Sequence, residues 1–339
     1  KIQSNGVTSD TTVKDSPDSE TTLLGIYLQD EISFNNNDKW ELIAGLRYDS
    51  YNLDSTSDSI YLQSTKSQDP KDVNASQLIP SISLLYKVDP QVTLYSKYNK
   101  GFRAPAYYEI NTTFANLSHY YYIVNNPDLK TETSDNYEVG IKGNYEKLAF
   151  GLTGFYSDFN NRIDGYERIE DDSQGYWRYQ FQNKDSAAIY GLELNSNYNF
   201  SPGDDGFSFI TSMAYTEGND TSTSNDIPLV SIDPLKVILG IKYQGENDKW
   251  GGELINTYTG KARVAEDNSY FVPNKSSIFD MISYYNLNDR FKLDVGVYNI
   301  FDRKYFNYST VRTQSPSATN LDRFSEPGRN VKLGFKFKF

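Results

Sequence analysis

An all-β fold, specifically a transmembrane antiparallel β-barrel, is the class this sequence predicts, and three observations predict it. The first is the chain's end, Val331-Lys332-Leu333-Gly334-Phe335-Lys336-Phe337-Lys338-Phe339, an apolar/polar alternation that stops on a C-terminal phenylalanine. A strand sends successive side chains to opposite faces, so Val331, Leu333, Phe335, Phe337 and Phe339 form one apolar wall and Lys332, Lys336 and Lys338 a wet one. A soluble protein ending this way would bury the lysines or bare the phenylalanines, whereas a barrel wall between lipid and a hydrated lumen needs both faces. The second is composition: only 37% of residues are hydrophobic, yet 15% are aromatic, with 29 Tyr and 19 Phe, and the mean hydropathy is -0.65. No run of about 18 apolar residues occurs, which excludes a helical membrane protein, while tyrosine and phenylalanine at this density fit the aromatic girdles of a barrel. The third is a rhythm of alternating segments joined by connections that are in turn short and long.

In chain order, about thirteen strands are predicted from two-residue periodicity. The first pair, 22–34 and 38–51, meets at Asn35-Asn36-Asn37-Asp38, and in its second member Trp40, Leu42, Ala44, Leu46 and Tyr48 alternate with Glu41, Ile43, Gly45, Arg47 and Asp49. Strands 77–88 and 90–101 meet at Asp89-Pro90, 131–145 and 147–168 at Glu146-Lys147, and 177–200 and 206–217 at Ser201-Pro202-Gly203-Asp204-Asp205. Leu235, Val237, Leu239, Ile241 and Tyr243 mark a strand over 233–244, joined to 248–259 by Gly245-Glu246-Asn247-Asp248. Strand 276–287 turns at Asn288-Asp289-Arg290 into 290–305, carried by Phe291, Leu293, Val295 and Val297, and 329–339 is last. The short connections have tight-turn chemistry. Between them lie polar loops at 52–76, 102–130, 169–176, 218–232, 260–275 and 306–328, the short-inside, long-outside asymmetry of outer-membrane barrels.

Bacterial single-chain barrels close with even strand numbers, so thirteen predicts either part of a larger barrel or a count off by one. The chain starts at Lys1 without a signal peptide, as a mature product or a fragment would. Nothing suggests a second soluble domain. The net charge of -12 and the lack of a basic stripe exclude nucleic acid as a partner, and the absence of cysteine suits passage through an oxidising periplasm. No nucleophile elbow or phosphate-cradling glycine loop is present, so no enzyme class is indicated. The acidic groups Glu170-Asp171-Asp172 and Asp204-Asp205 read as solvated turns rather than calcium ligands.

The loop after residue 100 narrows the kind of barrel. Asn99-Lys100-Gly101-Phe102-Arg103-Ala104-Pro105, then Glu109, then Asn126-Pro127-Asp128-Leu129-Lys130-Thr131-Glu132-Thr133-Ser134 and Asn136-Tyr137-Glu138-Val139-Gly140 resemble the TonB-dependent outer-membrane receptor family. Ile189-Tyr190-Gly191-Leu192-Glu193-Leu194 and Val297-Tyr298-Asn299-Ile300-Phe301-Asp302-Arg303-Lys304-Tyr305 are similar too, so the resemblance runs in order along almost the whole chain. It implies a barrel of about 22 strands with an N-terminal plug, of which residues 1–339 are the C-terminal barrel portion, without plug or early strands. It further implies import of scarce iron complexes or cobalamin with energy from TonB, which would engage the missing N-terminal region, and an assembly signal at Phe339.

His119 is the sole histidine. It stands between Pro105 and Asn126, the interval where haem and haemoglobin receptors of that family place an iron-ligating histidine, and Phe114-Ala115-Asn116-Leu117-Ser118-His119-Tyr120-Tyr121-Tyr122-Ile123-Val124 is similar to their sequence. The resemblance thus points to haem, free or from a host haemoprotein such as haemoglobin, as the transported ligand. A neutral imidazole is a good haem ligand, a phenolate of Tyr120, Tyr121 or Tyr122 serves ferric haem, tyrosine rings pack on a porphyrin, and Arg103 could meet a propionate. One histidine supplies one axial position; a second ligand would be tyrosine or come from the plug. Each residue also has a plainer reading: His119 as an ordinary loop residue, the tyrosines as girdle or strand end, and Arg103 with Pro105 as the fixed top of a strand. A ferric-siderophore receptor, indifferent to His119→Ala, and a passive porin are the competing functions.

Overall fold

The computed structural model describes residues 14–34, 39–63, 68–202, 205–222, 226–266 and 268–338, preceded by two short paired strands, Ile2–Ser4 and Val7–Ser9. Among the described residues, thirteen long strands form one antiparallel meander in which each bonds to its sequence neighbours. They are β1 (Asp18–Phe34), β2 (Trp40–Thr56), β3 (Val73–Lys87), β4 (Val92–Arg103), β5 (Glu132–Asn144), β6 (Leu148–Arg168), β7 (Trp177–Asn199), β8 (Gly206–Asp220), β9 (Lys236–Gln244), β10 (Trp250–Thr259), β11 (Ser276–Asn286), β12 (Phe291–Tyr298) and β13 (Asn330–Phe337). Every predicted strand is present. β1 and β13 are the two ends of this path.

Register divides the wall into two chemistries. Opposite one another on one face stand Ile26 and Tyr48, Leu28 and Leu46, Ile32 and Leu42, and Phe34 and Trp40; the row continues through Leu84 and Tyr86 on β3. On the other face Arg47 lies opposite Tyr27, Asp49 opposite Gly25 and Lys97 opposite Glu138. The first face suits lipid and the second water. Near the short-turn rim, paired rings form an aromatic girdle: Trp40 with Tyr86 at 4.4 Å, Phe207 with Tyr243 and Tyr243 with Trp250 at 4.8 Å, and Phe291 with Phe337 at 4.5 Å. No described helix is long and apolar enough to cross a membrane.

The short turns close as their residues dictate. The Asp89 carboxylate accepts from the backbone N–H groups of Gln91 and Val92 at 2.8 and 2.9 Å, and the Asn288 carbonyl from those of Arg290 and Phe291 at 3.0 Å each. One strand ends early. β12 stops at Tyr298, not 305, because Asn299 turns to φ 50° and its side chain takes over the pairing. Its amide donates to the Arg303 carbonyl at 2.8 Å while its oxygen accepts the Arg303 N–H at 2.9 Å, a local bond competing with the ladder. Conversely β2 runs on to Thr56 and β8 to Asp220, shortening the loops predicted there. Phe339, the turn at 35–38, Gly203 and Asp204 lie outside the described residues.

Spanning a bilayer takes about 9–11 residues of tilted strand. β6 has 21 residues and β7 has 23, so their hairpin rises well beyond the wall on the long-loop side. Burial is concentrated at that rim: Ile110, Leu129 and Phe181 form a small core, with Val73 and Ile163 packed on it.

Candidate functional site

The loop joining β4 to β5 folds over the raised β6–β7 hairpin in two parts. The first is a scaffold. Arg103, at the end of β4, places one guanidinium nitrogen 3.0 and 2.8 Å from the two Glu109 oxygens, and its Nε donates to Glu132. Glu109 is buried and also accepts the Ala106 N–H at 2.8 Å, capping the short helix Tyr107–Asn111. Pro105 is fully buried beside it. Asn111, with no exposed surface, accepts the Lys71 N–H and donates to the Lys71 carbonyl, both at 2.8 Å, tying in the preceding long loop. Asn126 donates to the Phe181 carbonyl at 2.7 Å and accepts the Asp128 N–H at 3.0 Å, and Leu129 enters the small core.

The second part is presented outward. Phe114–Asn116 and Tyr121–Ile123 form a miniature hairpin, and its second strand pairs parallel with the start of β7: Tyr121 with Trp177, Tyr122 with Arg178, and Ile123 with Tyr179. A 3-10 turn, Leu117–His119, joins the two strands and Tyr120 closes it at φ 57°. Against this annex lies an open cavity of about 720 Å³ lined by Asp15, Thr112, Phe114, His119, Tyr121, Ile123, Tyr166, Trp177 and Tyr179. Tyr166 reaches it from an irregularity in β6, where the register shifts between Asp164 and Glu167 and Tyr166 itself sits at φ 58°. Asp15 arrives from before β1, held where the Thr113 N–H donates to its carbonyl at 2.7 Å; partial desolvation at the cavity wall raises its carboxyl above the usual range.

Of the residues singled out from the sequence, the structure therefore brings His119 and Tyr121 together at one cavity. Tyr120 and Tyr122 point elsewhere: Tyr120, in the left-handed turn, is 63% exposed with its ring 5.6 Å from that of Tyr176, while Tyr122, on the opposite face of the strand from Tyr121, is buried, which pushes its phenol up and opposes a phenolate there. Arg103 lies outside the cavity lining, its charge matched by two carboxylates. The Phe102–Pro105 and Asn126–Leu129 stretches hold the loop rather than line the cavity. Sequence reading quoted Phe114 and Ile123 within the 114–124 stretch without a role and missed Tyr166, Trp177, Tyr179 and Asp15. Phe114 pairs with Ile123 across the miniature hairpin, whereas Tyr166 depends on an irregularity that no pattern announces. Asp171 pairs with Arg168 at 2.8 Å and the Asp172 carboxylate accepts the Gln174 and Tyr176 N–H groups at 2.9 Å, so this acidic run builds its own turn. Among the described residues no cluster of three His, Cys, Asp or Glu side chains is placed to hold a bare metal ion.

A family model described as TonB dependent receptor-like, beta-barrel matches residues 2–300. The chain belongs to the TonB-dependent receptor β-barrel family. That family places it in the bacterial outer membrane, with the long-loop rim and its cavity outside the cell. This receptor segment is 24% identical over 360 residues to haemoglobin-haptoglobin utilization protein B of Neisseria meningitidis, covering 92% of this chain and 44% of that protein. It is 26% identical over 298 residues to haemoglobin-binding protein A of Haemophilus influenzae, covering 76% of this chain and 29% of that one. The receptor segment thus spans less than half the length of either relative. Among solved structures, the copper transporter OprC superposes with a TM-score of 0.75 at 19% identity, over 96% of this chain and 49% of OprC, which shows the shared barrel fold.

Proposed function

We propose that this chain is the cargo-holding barrel portion of a receptor that takes haem from a host haemoprotein such as haemoglobin and passes it into the periplasm with TonB-derived energy. The observation that carries this reading is the cavity: the chain's sole histidine shares it with Phe114, Tyr121, Tyr166, Trp177 and Tyr179. Its volume lies within the roughly 300–1,000 Å³ of small-molecule sites. Aromatic faces suit a flat macrocycle, and an imidazole suits its iron. The names of the two relatives, one for haemoglobin-haptoglobin utilization and one for haemoglobin binding, point the same way. In this reading His119 ligates the iron, Tyr121 and its aromatic neighbours pack on the porphyrin, and the Arg103–Glu109–Glu132 cluster keeps the loop in place. The reading involves transport without bond-making chemistry on the cargo by this chain.

The test is haem titration of the full-length receptor in detergent, followed at the Soret band, for wild type and His119→Ala. Loss of tight binding or a changed band in the variant supports the reading. Tight binding with an unchanged band moves the iron ligand away from His119. Failure of both proteins to bind free haem and to extract it from haemoglobin sinks the haem reading and leaves a ferric siderophore as cargo.

A further inference from the structure

The turn that presents His119 is itself organised around one side-chain oxygen. His119 Nδ1 lies 3.0 Å from Asn116 Oδ1, and the Ser118 hydroxyl donates to the same oxygen at 2.9 Å while standing 3.3 Å from the ring nitrogen. An amide oxygen has two lone pairs, so it can accept from both donors at once. Asn116 ends the Phe114–Asn116 strand and precedes the Leu117–His119 turn, and its backbone pairs with Tyr121 across the miniature hairpin. Tyr120, in the left-handed region, donates its N–H to the Leu117 carbonyl at 3.3 Å and shuts the turn. A tyrosine at positive φ is costly by about 1–3 kcal/mol and persists only where its surroundings impose it. The position of Asn116 is therefore fixed from both sides.

We propose that Asn116 is a positioning residue for cargo binding: by accepting the Nδ1–H of His119, which lines the cavity, it holds the imidazole in the tautomer whose Nε2 carries a free lone pair, with Ser118 orienting the Asn116 amide. The reason is proton placement. A neutral imidazole has one N–H and one lone pair, and the partner of one nitrogen decides which of the two the other presents. A hydrogen-bonded Nδ1–H leaves Nε2 available to iron, and such outer partners of a ligating histidine typically change affinity by about 10- to 100-fold when removed. Were the Asn116 amide reversed, the ring proton would sit on Nε2, and the amide NH₂ and the Ser118 hydroxyl 3.3 Å away would compete as donors for the single lone pair on Nδ1. The convergence of Ser118 and His119 on one atom selects the first arrangement. This inference rests on the haem reading for its consequence, while the tautomer itself is a property of the empty receptor.

Two measurements on the full-length receptor in detergent separate the two. The first is the ¹⁵N spectrum of histidine-labelled, haem-free receptor, with the His119 signal identified by its loss in His119→Gln. A proton on Nδ1 is expected in wild type and in Asn116→Asp, which keeps an acceptor oxygen there, and a tautomer mixture in Asn116→Leu. The second is haem titration with the ferric spectrum and the reduction potential of the bound haem. Asn116→Leu should lose roughly tenfold or more in affinity and shift both spectrum and potential, whereas Asn116→Asp should retain tight binding with a lowered potential, because a carboxylate makes the imidazole more electron-rich. The proposal is overturned by an Nε2–H signal in wild type, or by an Asn116→Leu variant with unchanged tautomer, spectrum and affinity. If wild type shows the Nδ1–H signal and Asn116→Leu disturbs it, but no haem binds, the positioning of the ring stands and the haem reading falls.

Discussion

The two halves of the β4–β5 loop are built on opposite plans. In the scaffold half, polar side chains are buried and matched inward: Glu109 to Arg103 and the Ala106 N–H, Asn111 to both backbone groups of Lys71, Asn126 to the Phe181 carbonyl and the Asp128 N–H. In the presented half, aromatic rings and one imidazole stand beside an open cavity, and Tyr120, like Tyr166 facing it from β6, occupies a backbone conformation that a bulky side chain avoids. The lesson is that the Phe102–Pro105 and Asn126–Leu129 stretches of this loop hold it, while the cavity is lined by its presented half together with residues of β6, β7 and the segment before β1.

That division can be broken from either side. The largest effect on cargo binding is expected from His119→Ala, with a haem affinity loss at least as large as the roughly 100-fold reached by removing an outer partner alone, and no change in the loop's resistance to protease. Next is Arg103→Ala, which strands the buried Glu109 carboxylate. A buried group left without its partner costs about 1–3 kcal/mol, so the loop should become sensitive to limited proteolysis and haem affinity should fall without a change in the bound spectrum. The same pairing of effects, somewhat weaker, is expected for Asn126→Ala, read by hydrogen exchange at the Asp128 N–H that its side chain accepts. A spectral shift in either scaffold variant would erase the distinction between the halves.

The smallest effect is expected at Asp15. Its carboxyl is raised by desolvation, so the folded loop favours the neutral form, and the stability tied to that proton is present at low pH and lost as pH rises through the raised value. Asp15→Asn should therefore stabilise the loop by a few tenths of a kcal/mol near neutral pH, typical of surface changes, and make no difference in acid below the ordinary carboxylate range. Thermal melts of the two proteins across pH 3–8 follow the crossover. An advantage that grows toward low pH would reverse the assignment.

The scaffold was legible in part: Arg103 before Pro105 reads as the fixed top of a strand, and the contact of one guanidinium nitrogen with both Glu109 oxygens gives that reading its mechanism. The cavity was less so. His119 and Tyr121 were named together with Tyr120 and Tyr122, and choosing among three consecutive tyrosines needs to know that the segment is a strand paired to Trp177–Tyr179, a contact between residues more than fifty positions apart.

By itself, the sequence determined the wall. Two-residue alternation decides which side chains face lipid, and turn chemistry at Asp89 and Asn288 decides where the chain reverses, because both are local consequences of backbone geometry. Only the tertiary structure decided the crown. Whether Arg103 meets a carboxylate or cargo, which tyrosine shares the cavity with His119, and where β12 gives way to Asn299 all depend on partners outside the strand pattern. The energy of a buried hydrogen bond or a packed ring belongs to the pair, and no single residue's pattern announces its partner.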